Sequence, residues 1–219
     1  MMFIVNKENL FSFFLTEKKL LNEPRDFTEE DQKILKTKGY DCFRLPKQRV
    51  LKMVSNPQNL CISTGQELWL KWIYEDVLYD NSTPCDIAFN PNQFILPDSK
   101  GHSHQDQLAI MKRRFIEEFG PNNNFTPTLL TMPDYLALLV GYYQKENKLL
   151  IPYNHSIRTV TKRPDGRYVT ITTPYRQLRI DIESAIDSEE ITIAPCIIPI
   201  EKFTITQTPS QTADYRSYQ

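Results

Sequence analysis

The chain has 219 residues, of which 40% are apolar and 24% are charged, and its formal net charge is −1. The length allows one large domain with a sizeable core, and the composition is ordinary for a globular protein. A net charge this small excludes an overall field that would attract nucleic acid or an anionic membrane, so such binding requires a local basic patch.

Several well-known functional motifs are absent from the sequence. The six glycines form neither the dinucleotide-binding G-x-G-x-x-G motif nor the phosphate-binding G-x-x-x-x-G-K-[ST] motif, and no G-x-S-x-G motif occurs. No segment approaches the ~20 consecutive apolar residues of a membrane span, so no membrane partner is expected. The wide spacing of the cysteines predicts reduced thiols and a cytoplasmic protein. The cysteines are Cys42, Cys61, Cys85 and Cys196.

The first third of the chain predicts three helices. An apolar stripe predicts a helix over residues 7–21, and Thr28 with Asp31 forms a capping box for a second helix that ends at Gly39. A third, shorter helix is expected over residues 47–54.

The segment S-T-G-Q-E-L-W-L-K-W-I-Y-E-D-V-L-Y-D, residues 63–80, predicts a fourth helix. Thr64 and Glu67 have the spacing of a capping box. Apolar residues occupy more than one face of this helix, and they include both tryptophans, Trp69 and Trp72. Such a pattern is typical of a central helix that is buried on several sides. The alternative is an exposed aromatic surface that binds a partner helix.

Loops and helices alternate in the middle of the chain. Thr131 and Asp134 form another capping box, with a proline in the first helical turn. The predicted elements are a loop over residues 81–100 with a short strand at 94–96, a helix over 104–119, a loop over 122–128 and a helix over 132–148.

After residue 148 the pattern changes to short segments rich in β-branched residues, which predict strands. K-R-P-D-G-R, residues 162–167, predicts a tight turn between two of them, and therefore a hairpin. The predicted strands are K-L-L-I-P-Y (148–153), S-I-R-T-V-T-K (156–162), R-Y-V-T-I-T-T (167–173), R-Q-L-R-I-D-I (176–182) and E-E-I-T-I-A-P-C-I-I-P-I-E-K-F (189–203).

This order of elements predicts an α+β fold, in which N-terminal and central helices pack against a mainly C-terminal antiparallel sheet. We expect a single domain over residues 1–205, with a helical part at about 1–147 and a β-rich part at about 148–205. The polar tail, residues 206–219, lacks apolar periodicity and is expected to be disordered.

The stretch K-G-H-S-H-Q-D-Q-L contains two of the three histidines and raises the question of a metal site. His102 and His104 form an H-x-H pair, and His104 with Asp106 forms an H-x-D pair that His155 could complete as a two-histidine, one-carboxylate triad for a divalent transition metal. With Arg167, the order of these residues resembles that of the iron- and 2-oxoglutarate-dependent oxygenases. The resemblance implies a metal-dependent enzyme and covers only these positions.

A structural interpretation competes with the metal site and is favoured. Ser103 and Asp106 have the spacing of a capping box that opens an amphipathic helix. Within a helix, His104 and Asp106 lie about 200° apart around the axis and cannot share a metal ion. Ligands spaced as H-x-D require an extended backbone. We therefore expect no cofactor.

Basic residues concentrate in the hairpin region, residues 158–179, and suggest a second alternative, nucleic-acid binding. Strand alternation places Val169 and Ile171 on one face and Tyr168 on the other, where arginines and a tyrosine could contact phosphates and bases. The competing interpretation is that these arginines pair with Asp165, Asp181 and Glu183.

In the absence of catalytic motifs, the sequence favours a non-enzymatic binding or scaffolding module that acts through contacts with another protein or with itself. The predicted binding residues lie on the tryptophan helix and in the hairpin region. They are Trp69, Trp72, Arg158, Arg163, Arg167, Tyr168, Arg176 and Arg179.

Overall fold

The structure is a computed structural model that describes residues 26–121, 123–183 and 190–199. The helix predicted over residues 7–21 and the tail, residues 206–219, lie outside the described residues.

Five α-helices occur among the described residues, and none of them is long and apolar enough to cross a membrane. Their order matches the helical part of the predicted fold. They are α1 (Glu29–Thr37), α2 (Val50–Val54), α3 (Gln66–Tyr74), α4 (His104–Phe119) and α5 (Met132–Glu146). Short 3-10 helices cover Glu75–Tyr79, Pro97–Ser99 and Pro174–Arg176.

Eight described strands form two four-stranded sheets. The first sheet has the order β1-β2-β8-β3 and is antiparallel throughout. The second sheet has the order β6-β5-β4-β7, in which only the β4–β7 pair is parallel. The strands are β1 (Asp41–Arg44), β2 (Asp86–Phe89), β3 (Phe125–Thr128), β4 (Ser156–Lys162), β5 (Tyr168–Thr172), β6 (Arg179–Ile182), β7 (Ile191–Thr192) and β8 (Cys196–Pro199). The predicted α+β fold is confirmed.

Helix ends that depend on local hydrogen bonds were predicted well. The capping box of α1 is present, since the Thr28 hydroxyl accepts from the Asp31 N–H and the Asp31 carboxylate accepts from the Thr28 N–H, both at 3.1 Å. Gly39 follows the end of α1 with φ of 82°, a left-handed conformation that favours glycine. The starts of α4 and α5 also agree with the prediction.

Strand predictions failed where pairing depends on distant residues. The segment at 122–128 was predicted as a loop, but β3 forms there by pairing along β8. β3 is an edge strand of four residues that contains Pro127, so its sequence carries little periodic signal. Residues 148–153 were predicted as a strand but form irregular bends, in which the apolar side chains of Leu150 and Ile151 are buried.

Strands β1 and β2 were not predicted at all, and the expected strand at 94–96 is reduced to a single bridge between Leu96 and Ile193. β1 and β2 pair with each other over four residues, and β2 then pairs with β8. The first sheet therefore takes three of its strands from the part of the chain that was expected to be helical.

Helix α5 lies at the centre of the core. Ten of its residues are buried, and it packs against α2 and against β4 and β5 of the second sheet. The buried Tyr135 hydroxyl donates to the Ala194 carbonyl at 2.5 Å, and the Thr83 N–H donates to the buried Asp134 carboxylate at 2.6 Å. Burial raises the pKa of Asp134. Gly141 is needed for close packing, because a Cβ there would lie 2.6 Å from the Phe43 ring.

The prediction that residues 63–80 form the central helix is wrong. Helix α3 packs against β6 and α2, but much of its surface faces solvent. Its N-cap is Gly65, with φ of 80° and no side-chain cap, so the predicted Thr64–Glu67 box does not form. Glu67 instead accepts from the Ser55 hydroxyl at 2.5 Å and from Lys71 at 2.7 Å. The helix ends at Tyr74 and continues as a 3-10 turn.

Candidate functional site

Two large apolar side chains project from the outer face of α3. Leu68 is 71% exposed and Trp72 is 77% exposed, whereas Leu70 on the opposite face is completely buried. Leu68 and Trp72 are four residues apart, so they are neighbours on one helical face. An exposed leucine and tryptophan side by side form a small apolar patch on this face of α3.

Trp69 connects this patch to the second sheet. Its indole N–H donates to the Ile180 carbonyl at 3.1 Å, which fixes α3 on β6. The Trp69 and Trp72 ring centroids are 5.2 Å apart, and the Arg179 guanidinium carbon lies 5.0 Å from the Trp69 ring centroid. We call Leu68, Trp69, Trp72 and Arg179 the α3 surface. Trp69 anchors this surface to β6, while Trp72 is exposed to solvent.

Ion pairs border the α3 surface on both sides. On one side, Lys71 forms an ion pair with Glu67 at 2.7 Å. On the other side, Arg179 forms an ion pair with Asp181 at 3.0 Å. The Lys71 ammonium and the Ser55 hydroxyl hold the pKa of Glu67 below its ordinary value. The border is therefore charged but locally neutral, so neither a strongly acidic nor a strongly basic partner is favoured.

Three of the eight predicted binding residues, Trp69, Trp72 and Arg179, lie together on the α3 surface. Arg158 is buried, pairs with Glu183 and donates to the Gln107 side chain, so it lies under the surface of the sheet rather than on it.

Arg163 and Arg167 both pair with Asp165 in the hairpin turn, at 3.3 and 2.8 Å. Together with the Arg158–Glu183 and Arg179–Asp181 pairs, this is the pairing that the structural interpretation of the hairpin predicted. Arg176 is exposed in the 3-10 turn before β6, with an unusual φ of 62°.

Tyr168 is also less available than strand alternation suggested. The ring centroid of His104 lies 4.6 Å from that of Tyr168, and Lys162 Nζ lies 4.5 Å from the Tyr168 centroid. The Arg158 guanidinium carbon lies 5.5 Å from the same centroid. Val169 and Ile171 face the core as predicted, but Thr170 on the opposite face is buried too. Side chains of the protein itself thus cover the tyrosine-bearing face.

The three histidines do not converge. The backbone is helical from His104 onward, and Ser103 caps it by accepting from the Asp106 N–H at 3.2 Å. The Asp106 carboxylate in turn accepts from the Ser103 hydroxyl at 2.7 Å. His102 is exposed in the turn before the helix. This geometry agrees with the capping interpretation.

His155 lies at the other end of the hairpin from His104. The Thr173 N–H donates to the His155 carbonyl at 3.1 Å, whereas the His104 ring packs on Tyr168. Five residues of extended chain separate these two contacts, or about 16 Å. Within the described ranges, no group of three or more histidine, cysteine, aspartate or glutamate residues could hold a metal ion.

Leu68 was not predicted to belong to the site. Its position four residues before Trp72, between Glu67 and Lys71, is a signal that the sequence contains. The wide apolar pattern of this helix instead predicted burial on several sides.

Comparison with protein-family models, curated proteins and solved structures found no match for this chain. We therefore infer function from the geometry of the α3 surface.

Proposed function

We propose that the protein is a non-enzymatic binding or scaffolding module, and that it acts through protein–protein contacts at the α3 surface. The observation that carries this proposal is the exposure of Leu68 and Trp72, at 71% and 77%, on a helix that Trp69 fixes to the sheet. Tryptophan is among the residues that contribute most to binding energy when an interface buries it.

The partner that this surface fits is a second copy of the chain. On α3, Glu67 and Lys71 lie on the same flank of the helix, beside Leu68 and Trp72. If two α3 helices pack antiparallel about a two-fold axis, Leu68 meets the partner's Trp72, and Glu67 faces the partner's Lys71. The face is thus complementary to itself in shape and charge, as a two-fold interface requires.

The apolar patch is small, so we expect the affinity of self-association to be low. A standard interface buries roughly 800 Å² per partner, and two large side chains supply only its centre. We therefore expect reversible association with a Kd in the range of about 10–100 µM rather than a permanent dimer.

Sedimentation of the purified protein between about 1 µM and 1 mM covers this range and tests the proposal. We expect the mean mass to rise from monomer towards dimer, and Trp72→Glu to remain monomeric because it places a carboxylate in the apolar contact. Tyr153→Glu is the matched control, since Tyr153 is also an exposed aromatic residue, at 53%, and lies outside the patch. A monomer at all concentrations, or a dimer that survives Trp72→Glu, would overturn the homotypic contact.

Charge exchange tests the antiparallel register. Glu67→Lys and Lys71→Glu each place like charges opposite one another in a homodimer, so each variant alone should associate more weakly. A mixture of the two variants should form a heterodimer, because the lysines of one copy face the glutamates of the other. The intramolecular pair between Glu67 and Lys71 is lost in both variants, so recovery in the mixture reports the contact between copies. No recovery would contradict this register.

The two alternative functions have less support. A metal-dependent enzyme would need His104, Asp106 and His155 to converge, and a nucleic-acid surface would need arginines that are not occupied by carboxylates. As for location, the four cysteines are free thiols, which favours the reducing cytoplasm that we propose.

A further inference from the structure

A cavity of about 470 Å³ lies where α4 meets both sheets. The first two turns of α4 form one wall, β3 forms the second, and the ends of β4 and β5 form the third. Its volume falls within the range of roughly 300–1,000 Å³ that small-molecule sites occupy.

The charged residues of this cavity are both cationic. Lys112 and Lys162 line it, and none of its described lining residues is an aspartate or glutamate. The whole chain has 27 acidic residues and 26 lysines and arginines, so its charges nearly balance. The charges that line this cavity do not balance. Cationic groups that converge on one cavity create a local positive potential, although the whole chain is nearly neutral.

Two other cavities are lined by charges of both signs. In the cavity of about 520 Å³ beside α4, Arg114 is accompanied by three carboxylate residues. In the cavity of about 300 Å³ beside His155, Arg179 is likewise accompanied by three. The carboxylates are Asp98, Glu117 and Glu118 in the first, and Asp181, Glu183 and Glu190 in the second. Only the cavity at His104 therefore presents one sign of charge among these three.

The rest of the cavity wall is apolar. Leu108 and Met111 contribute from α4, Leu129 from the end of β3, and Val160 from β4. Tyr168 lies at the junction of the two parts, because its ring carries Lys162 Nζ 4.5 Å above its centroid and contacts the His104 ring. A positive rim over an apolar floor suits a ligand with a negative head and an apolar body.

We propose that this cavity binds a small amphiphilic anion, with its carboxylate or phosphate head between Lys112 and Lys162 and its apolar body against Leu108, Leu129 and Val160. Lysine ammonium groups act as point charges and accept either head group, so the shared chemistry is an anionic head on a short hydrocarbon or aromatic body. The Ser103 side chain already caps α4, so the helix N-terminus is not what holds the anion.

The state of His104 agrees with this site. Its Nδ1 is buried, and no residue in the described part of the chain accepts from it or donates to it. Burial, and then the charges of Arg158 and Lys162, lower the pKa of His104 to about 4. The imidazole is therefore neutral at neutral pH, and a bound anion would offset the two neighbouring cations and raise that pKa.

Calorimetric titration with octanoate, octyl phosphate, inorganic phosphate and octylamine tests the proposal on the full chain. We expect octanoate or octyl phosphate to bind, phosphate alone to bind at least about tenfold more weakly because the apolar contact is missing, and octylamine not to bind. The His104 imidazole signals in NMR should shift with the anions that bind. Binding of only one octyl anion identifies the head group.

Lys162→Gln should weaken binding by roughly tenfold, since a charge-assisted contact is lost, and Lys112→Gln should act in the same direction. Lys148→Gln removes the same charge from an exposed lysine outside the cavity and should change nothing. Thermal unfolding of each variant checks that the fold is intact. The proposal is overturned if neither octyl anion binds at millimolar concentration, if octylamine binds equally well, or if Lys162→Gln and Lys148→Gln behave alike.

Discussion

Helices α3 and α5 are both rich in apolar and aromatic residues, yet one is half exposed and the other is almost entirely buried. On α5 the buried set runs continuously from Met132 to Val140, whereas on α3 only Gln66 and Leu70 are buried. The difference lies in their neighbours: α5 packs against the second sheet and α2, while α3 rests on an edge strand, β6. Apolar composition therefore did not determine which of the two helices became the core.

The same lesson applies to charged residues in the hairpin. Arg158 lies in β4 and Arg167 lies in the turn between β4 and β5, and each pairs with a carboxylate. Arg158 is buried between Glu183 and Gln107, which in turn bonds the carbonyls of Ser99 and Ile191. Arg167 is half exposed at the turn. One arginine is a structural link between elements, and the other is part of the surface.

The largest expected effect on stability comes from truncating a buried leucine in α5, and the matching change in α3 should have little effect. Leu138→Ala in α5 removes a completely buried side chain and should lower the free energy of unfolding by about 3 kcal/mol, because it leaves a cavity. Leu68→Ala in α3 should change it by less than about 0.5 kcal/mol, because Leu68 is exposed. Urea unfolding followed by circular dichroism measures both values. Equal losses would mean that α3 is more deeply packed than the structure indicates.

The two arginines provide the next comparison. Arg158→Met should lower the free energy of unfolding by about 3 kcal/mol, because it leaves the Glu183 carboxylate without its buried partner. Arg167→Met should cost less than about 1 kcal/mol, since its pair with Asp165 is exposed to solvent. Adding Glu183→Gln to Arg158→Met should recover part of the loss. Chemical unfolding of the three variants would contradict this view if the two single changes were equivalent.

A further effect concerns the pH dependence of stability. Because the pKa of His104 is lowered to about 4 in the folded protein, the unfolded chain takes up this proton first as the pH falls. The contribution of His104 is therefore complete above the ordinary histidine pKa of about 6.5, and it is lost as the pH falls towards about 4.

NMR titration of the His104 ring should give the lowered pKa, and Lys162→Gln should raise it by removing one of the cations that face it. His104→Gln should make stability less dependent on pH between about 6.5 and 5, above the range where most carboxylates titrate. An unchanged slope in His104→Gln would show that other groups control this window.

Local hydrogen bonding explains which parts of the fold were predictable. The capping residues Thr28, Ser103 and Thr131 act on N–H groups three residues ahead, so their helices could be located from a few neighbouring letters. The predicted box at Thr64 does not form, and Glu67 has other partners, Lys71 and Ser55, the second of which is the C-cap of α2. The four residues of the motif do not show that Ser55 and Lys71 compete for the Glu67 carboxylate.

Long-range pairing explains what was missed. β1, β2 and β3 are four residues long, and the first sheet forms only when β8 joins β2 to β3 from the far end of the chain. The candidate site has the same origin. Trp69 and Trp72 could be named from sequence, but their contact with Arg179 and the exposure of Trp72 depend on β6 passing beside α3.

The sequence by itself determined the α+β class, the starts of helices α1, α4 and α5, and the hairpin turn. These features depend on hydrogen bonds, periodicity and charges within a few residues of one another. Only the tertiary structure decided that α5 rather than α3 is the central helix, that Trp72 faces solvent, and that His104 lines a cationic cavity. Each of these depends on which distant element covers a side chain, and burial is a property of the neighbours rather than of the residue.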